Sequence, residues 1–189
     1  MRIISGTLRG RPLLAPRDDR TRPMLEKTRG AIFSILGEAV HGARVLDLYS
    51  GTGSLGLEAL SRGAASATFV ERDRTAFGFL ERNLQQMAVA DRAKALRAPV
   101  EAAARSQAAA SADLIFLDPP YVECEVRTRR PALVALLTDL FERVLAPGGS
   151  LVLHFPVGEF EPKALALLEG ADVREYGRNG VALLSKASS

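Results

Sequence analysis

A chain of 189 residues is one domain with a short appendage, and 47% hydrophobic with 25% charged residues is the balance of a folded globular protein, not a disordered one. No run approaches the roughly 20 uninterrupted apolar residues of a membrane span, and the N-terminus lacks the apolar stretch of a secretory signal. One cysteine, Cys124, and two histidines, His41 and His154, exclude an internal disulfide and give no metal cluster, so a cytoplasmic protein without a metal is expected. The net charge of +3 is unevenly spread. Residues 1–30 hold eight basic and three acidic side chains, a local +5 that leaves −2 for the rest. A basic arm on a near-neutral body suits a phosphate-backbone partner, although a solvated terminus would read the same way.

In chain order, residues 2–14 read as a short basic hairpin. Residues 25–37 read as an amphipathic helix burying Leu25, Ile32, Phe33, Ile35 and Leu36. From Ala43 onward, apolar β-rich runs alternate with helical patterns. Strands are predicted at Arg44–Tyr49, Ala67–Glu71, Ala93–Arg97, Asp113–Leu117 and Ser150–Phe155. Helices are predicted at Ser54–Arg62, Arg74–Met87, Val100–Ala109, Pro131–Leu145 and Pro162–Leu168. Such alternation, with strands too apolar for one exposed face, predicts an α/β fold with a parallel sheet covered on both sides. Asp172–Tyr176 and Val181–Ser185 are strand-like, and Asn179-Gly180 between them is a hairpin turn signal. A terminal antiparallel hairpin on a parallel sheet resembles the seven-stranded, Rossmann-like methyltransferase fold. Two regions are expected: 1–38, the basic hairpin and helix, and 39–189, the sheet domain.

Two segments carry chemistry. Val45 to Gly56 is a strand, a glycine loop and a helix start. Its glycines allow a tight turn and close backbone approach, and the helix N-terminus favours a negative group. Gly51-Thr52-Gly53-Ser54-Leu55-Gly56 also fits a dinucleotide fingerprint, with Glu71 placed as the acidic ribose ligand. The glycines therefore indicate an adenosine-bearing cofactor without choosing NAD or S-adenosylmethionine. Asp47, four residues before the first glycine, resembles the acidic position of methyltransferases, where a carboxylate welcomes the cofactor's ammonium group, whereas it would repel a pyrophosphate. The cofactor-binding set is Asp47, Tyr49, Ser50, Gly51, Thr52, Gly53, Glu71 and Arg72.

The second segment is the apolar strand Ile115–Leu117 ending in Asp118-Pro119-Pro120-Tyr121. Consecutive prolines lack N–H donors and stay extended, which makes a rigid, carbonyl-rich corner. Such a corner accepts both hydrogens of an amino group, one at the Asp118 side chain and one at the Pro119 carbonyl, while Tyr121 offers a face for stacking a base. These four are the candidate catalytic residues.

The corner matches the Asp/Asn-Pro-Pro-aromatic motif of amino-group methyltransferases. Arg2-Ile3-Ile4-Ser5-Gly6, Arg9-Gly10-Arg11, Arg22-Pro23 and Arg29-Gly30-Ala31-Ile32-Phe33 lie in the order of one family. Over nearly its whole length the chain resembles the bacterial 16S ribosomal RNA guanine-N2 methyltransferases. Three positions depart from that pattern: Met24, Gly30 and Ala98-Pro99. The resemblance implies S-adenosylmethionine as methyl donor and a guanine of small-subunit ribosomal RNA as acceptor, on naked RNA or an assembly particle. Arg9, Arg11, Arg22, Arg29, Arg127, Arg129 and Arg130 are the expected RNA-binding side chains. A DNA adenine-N6 methyltransferase shares the Asp-Pro-Pro-Tyr motif but would usually add a target-recognition domain. A non-catalytic RNA-binding module would have no need of both sites. Cys124, His41 and His154 read as bystanders or packing residues.

Overall fold

In the computed structural model of the protein, residues 1–16, 25–120, 123–124, 130–158 and 170–188 are described. Seven strands form one sheet: β1 (Arg44–Leu48), β2 (Ser66–Val70), β3 (Ala93–Leu96), β4 (Ala112–Leu117), β5 (Leu145–Pro156), β6 (Asp172–Tyr176) and β7 (Asn179–Ser185). Their spatial order is β3-β2-β1-β4-β5-β7-β6. The first five run parallel, and β7 pairs antiparallel with both β5 and β6. The expected α/β fold is therefore present. The helices are α1 (Glu26–Leu36), α2 (Ser54–Ser61), α3 (Arg74–Met87), α4 (Val100–Ser106) and α5 (Arg130–Asp139).

Side chains alternate across a strand, so each apolar strand feeds two cores. Val45, Phe69, Leu114, Phe116 and Val152 pack on one face with Ile32 and Phe33 of α1, Leu57 of α2 and Leu80 of α3. Leu46, Val70, Ile115, Leu117 and Leu153 pack on the other with Ala103 of α4 and Leu137 of α5. The N-terminal hairpin is minimal: Arg2 and Pro12 form an isolated antiparallel bridge, while Ile3, Leu8 and Leu13 join the first core.

Several boundaries differ from expectation for local reasons. Leu25 precedes α1 and is exposed rather than buried. The helix expected to reach Leu145 stops at Asp139 and continues as one π-helical turn, Leu140–Val144. Leu145 instead pairs with Ala112, and the ladder resumes at Leu114 and Ser150 with three extra residues on β5. Gly149 occupies the bulge between, where an added Cβ would lie 2.8 Å from the Asp113 carbonyl oxygen. The terminal hairpin turns at Gly177-Arg178, with Gly177 at φ +65°, and not at Asn179-Gly180. Gly180 instead pairs with Phe155 in the ladder, and a Cβ there would meet the Phe155 ring at 2.2 Å. The expected helix Pro162–Leu168 lies outside the described residues.

The arm is fastened to α2 by buried polar groups. Glu58, fully buried, accepts the backbone N–H groups of Ile4 (2.7 Å) and Ser5 (3.0 Å) and the Arg62 Nε–H (2.8 Å). Ser61 Oγ accepts from the Leu8 N–H and donates to the Ser5 carbonyl. Gly6 crosses this contact so closely that a Cβ would fall 1.9 Å from the Ser61 carbonyl oxygen. Beneath the arm, Arg29 Nε lies 3.7 Å from Glu58 Oε2, both side chains having no exposed surface. Removing one partner of a buried ion pair leaves the other charge uncompensated. Glu58→Ala is expected to lower the unfolding free energy by about 3–5 kcal/mol, measured by urea denaturation; a loss below about 1 kcal/mol would remove the pair from the fold's support.

Candidate active site

Strand order fixes where a ligand can sit. Beyond β1 the chain builds outward through β2 and β3, whereas β4 begins the opposite wing, so the crevice between β1 and β4 is the switch point of the sheet. The register pairs Leu48 with Leu117, and the two strands leave the sheet together at Tyr49 and Asp118. The Asp118 N–H donates to the Leu48 carbonyl at 3.3 Å, which places the two sequence motifs against each other.

The loop after β1 is bent at three successive odd positions, with φ of +56° at Tyr49, +55° at Gly51 and +87° at Gly53. A positive φ is strained for tyrosine and marks a backbone held by its surroundings. Three groups hold it. Asp47 Oδ2 accepts the Gly56 N–H at 2.8 Å, pinning the first turn of α2. Glu71, at the end of β2, accepts the Gly51 N–H at 2.9 Å through Oε2 and the Asp73 N–H at 2.7 Å through Oε1. Asn83 of α3, fully buried, donates to the Thr52 carbonyl and exchanges two hydrogen bonds with the Leu14 backbone. Asn83 was missed by sequence reasoning; a polar residue on the apolar face of a predicted helix was the available signal.

Asp47 is 1% exposed and its Oδ1 has no hydrogen-bond partner. Burial pushes its carboxyl up to about 8; the Gly56 N–H opposes this, and the charges of Asp118 and Glu71 add to it. Ser50 Oγ is likewise buried without a partner. At Gly51 an added Cβ would meet nothing within 4 Å, so the loop borders open space. An unpartnered carboxylate oxygen and hydroxyl beside an open glycine turn fit a ligand that brings an ammonium donor. Burial also holds the Tyr49 hydroxyl above its ordinary range. Arg72 is exposed, 3.7 Å from Glu123.

At the second motif, Asp118 is 30% exposed, Pro119 is buried and Pro120 is exposed. The Pro120 carbonyl accepts the Glu123 N–H at 2.8 Å. Asp118 Oδ1 contacts His154 Nδ1 at 2.6 Å. His154, read from sequence as a surface or packing residue, lies against Asp118. Tyr121 lies outside the described residues.

The expected RNA-binding arginines separate. Arg9 is exposed on the hairpin. Arg11 is exposed as well, but its Nη1 donates to the Gln86 and Met87 carbonyls at the end of α3. Arg29 is corrected: it is fully buried, its Nη2 donates to the Arg2 carbonyl, and burial lowers its pKa while Glu58 opposes that. A side chain without exposed surface has a packing and pairing role, not a phosphate contact. Arg22, Arg127 and Arg129 lie outside the described residues, as does the side chain of Arg130. Among the described residues no group of three or more His, Cys, Asp or Glu is placed to hold a metal, and no helix is long and apolar enough to cross a membrane.

A mostly parallel seven-stranded sheet closed by an antiparallel pair, with a glycine loop after β1 and an Asp-Pro-Pro corner after β4, has the architecture of Rossmann-like methyltransferases. The chain belongs to the family described as Conserved hypothetical protein 95, which matches residues 1–185. It is 35% identical over 188 residues to YlbH of Bacillus subtilis (strain 168), named as a candidate rRNA methyltransferase, covering 98% of this chain and 99% of that protein. It is 36% identical over 121 residues to ribosomal RNA small subunit methyltransferase D of Escherichia coli (strain K12), covering 64% of this chain and 60% of the relative. Among solved structures, the Escherichia coli protein yhhF, described as a candidate methyltransferase, superposes with a TM-score of 0.80 at 27% identity, covering 100% of this chain and 99% of that one.

The raised Asp47 pKa has a testable sign. A carboxyl whose folded pKa exceeds its unfolded value near 4 keeps a proton that the unfolded chain releases. Its contribution is complete below about pH 4 and is lost as pH rises to about 8. Relative to Asp47→Asn, the wild-type unfolding free energy should fall by about 1 kcal/mol per pH unit between about pH 5 and pH 8. Parallel pH profiles from urea titrations would show that Asp47 is ionised throughout.

Proposed function

We propose that this protein transfers the methyl group of S-adenosylmethionine to the exocyclic N2 of a guanine in small-subunit (16S) ribosomal RNA. The observation that carries the reading is the contact between the Asp118 corner and the β1 loop at the switch point of the sheet. The names of the rRNA methyltransferases it resembles support the substrate class.

When bound, S-adenosylmethionine supplies an electrophilic methyl on a sulfonium centre. The chain's own residues do the rest. Asp47 Oδ1 and Ser50 Oγ are the buried acceptors that an amino-acid ammonium would complete. Glu71 already bonds one N–H through each oxygen, and its remaining lone pairs are available to ribose hydroxyls. Tyr49, Thr52, Gly53 and Arg72 complete the proposed cofactor surface.

Asp118 and the Pro119 carbonyl accept the two hydrogens of the target amino group. That group's lone pair is delocalised into the base ring, so holding both hydrogens favours pyramidalisation and aims the lone pair at the methyl. Catalysis is then positioning and electrostatics, and no strong base is needed, because the methylated nitrogen is acidic. The base leaves its stack to reach the corner, and stacking on Tyr121 contributes ~1–3 kcal/mol. Region 1–38, with Arg9 exposed at its tip, holds phosphates, while region 39–189 carries the reaction. Arg11, Arg22, Arg127, Arg129 and Arg130 extend the proposed RNA surface. The substrate, as naked 16S RNA or within an assembly particle, places the protein in the cytoplasm.

Asp118→Ala should slow single-turnover methyl transfer by about 10²–10³ while calorimetric affinity for S-adenosylmethionine changes little. Asp118→Asn should be milder, since its amide oxygen still accepts a hydrogen bond. Near-normal transfer by Asp118→Ala would reduce the Asp-Pro-Pro corner to a structural turn.

A further inference from the structure

Parallel pairing of Leu117 with Leu153 makes Asp118 and His154 neighbours just beyond the ladder. Antiparallel pairing of His154 with Val181 puts Asn179 two residues away on the same face of β7. The three side chains meet there in series. His154 Nδ1 lies 2.6 Å from Asp118 Oδ1, and His154 Nε2 lies 3.1 Å from Asn179 Oδ1. His154 is 5% exposed, so its ring is clamped by the sheet, while Asp118 stands at the open edge.

We infer that His154 is a positioning residue for methyl transfer: backed by Asn179, it holds Oδ1 of Asp118 and so fixes the carboxylate plane with Oδ2 left for the target amino group. The inference rests on the proposed role of Asp118.

An aspartate has two rotatable bonds, and at a half-open strand end its carboxylate would otherwise sample several orientations. Accepting two amino hydrogens in a defined geometry requires one orientation. A contact of 2.6 Å from a buried ring supplies that constraint, and it is short enough to be charge-assisted. Both ring nitrogens face oxygens, an arrangement satisfied by the imidazolium. Burial opposes that charge, but the bonds to Asp118 and Asn179 outweigh it and the His154 pKa is raised. Among the described residues, Asp118 at the end of β4 and Asn179 on β7 are the groups facing the ring.

Two readouts separate positioning from packing. In single-turnover transfer to a 16S RNA transcript, His154→Ala should lose about 10–100-fold, as loss of outer groups that orient contact residues does elsewhere. His154→Gln, which keeps an N–H donor, should recover part of that loss. In an Asp118→Ala background, removing His154 should change the rate less than about two-fold, because its effect runs through Asp118. Full additivity would overturn the inference. If His154→Ala fails to fold, the cycle is run with His154→Gln. Independently of activity, NMR titration of the two imidazoles should place the His154 pKa above its ordinary value and show it falling in Asp118→Asn. A His154 pKa that ignores Asp118 would also overturn the inference. Absence of methyl transfer by the wild-type protein would instead refute the proposed function, with the NMR titration still judging the contact.

Discussion

Ladder hydrogen bonds hold β1 beside β4 in parallel, from Val45 with Leu114 to Leu48 with Leu117. In that register the glycine loop and the Asp-Pro-Pro corner leave the sheet side by side. The chain winds outward in opposite directions from these two strands, which makes the crevice between them the switch point of the sheet. A slip of one residue would turn Asp47 and Asp118 to the other face of the sheet, under α4 and α5. The apolar alternation of both strands resists that slip, because Phe116 and Val45 would have to exchange cores with Leu117 and Leu46.

The face proposed to carry chemistry is stiffened by polar groups where hydrophobic packing alone would leave loops free. Asp47 and Glu71 bind the backbone of the β1 loop from below and from the side. Glu58 and Ser61 of α2 bind the N-terminal arm. Asn83 closes the circuit by bonding both Leu14 of the arm and Thr52 of the loop. The β1 loop and the arm, to which cofactor and RNA phosphates are assigned by the proposal, are thus attached to the same short helix, α2. Their relative placement is fixed by directional bonds, each costly to break inside a core.

Most of the sheet was legible because its strands are short, buried apolar runs separated by helical periods. Arg74–Met87 and Asp172–Tyr176 have the observed bounds, and β1 to β4 differ by a residue or so. Arg29 was misplaced by counting charge instead of reading period. With Ile32, Phe33 and Leu36 it occupies one face at i, i+3, i+4 and i+7, and that face is buried. Asn179-Gly180 resembles a turn dipeptide, but Gly180 answers a packing demand from Phe155 that lies 25 residues away in sequence. His154 was illegible for the same reason. Its meeting with Asp118 depends on the β4–β5 register, which the bulge between Leu145 and Ser150 resets. Contacts set by register between distant strands leave no local trace.

Methylation of a guanine exocyclic nitrogen in 16S ribosomal RNA at the crevice between β1 and β4 is proposed here and can be tested directly. The direct measurement is mass spectrometry of nucleosides from 16S RNA of cells lacking the gene, before and after incubation with purified protein and isotopically labelled S-adenosylmethionine. N2-methylguanosine should be depleted in 16S RNA of the deletion strain and restored with label by the wild-type protein. Label on another base, or an unchanged guanosine profile, would contradict it.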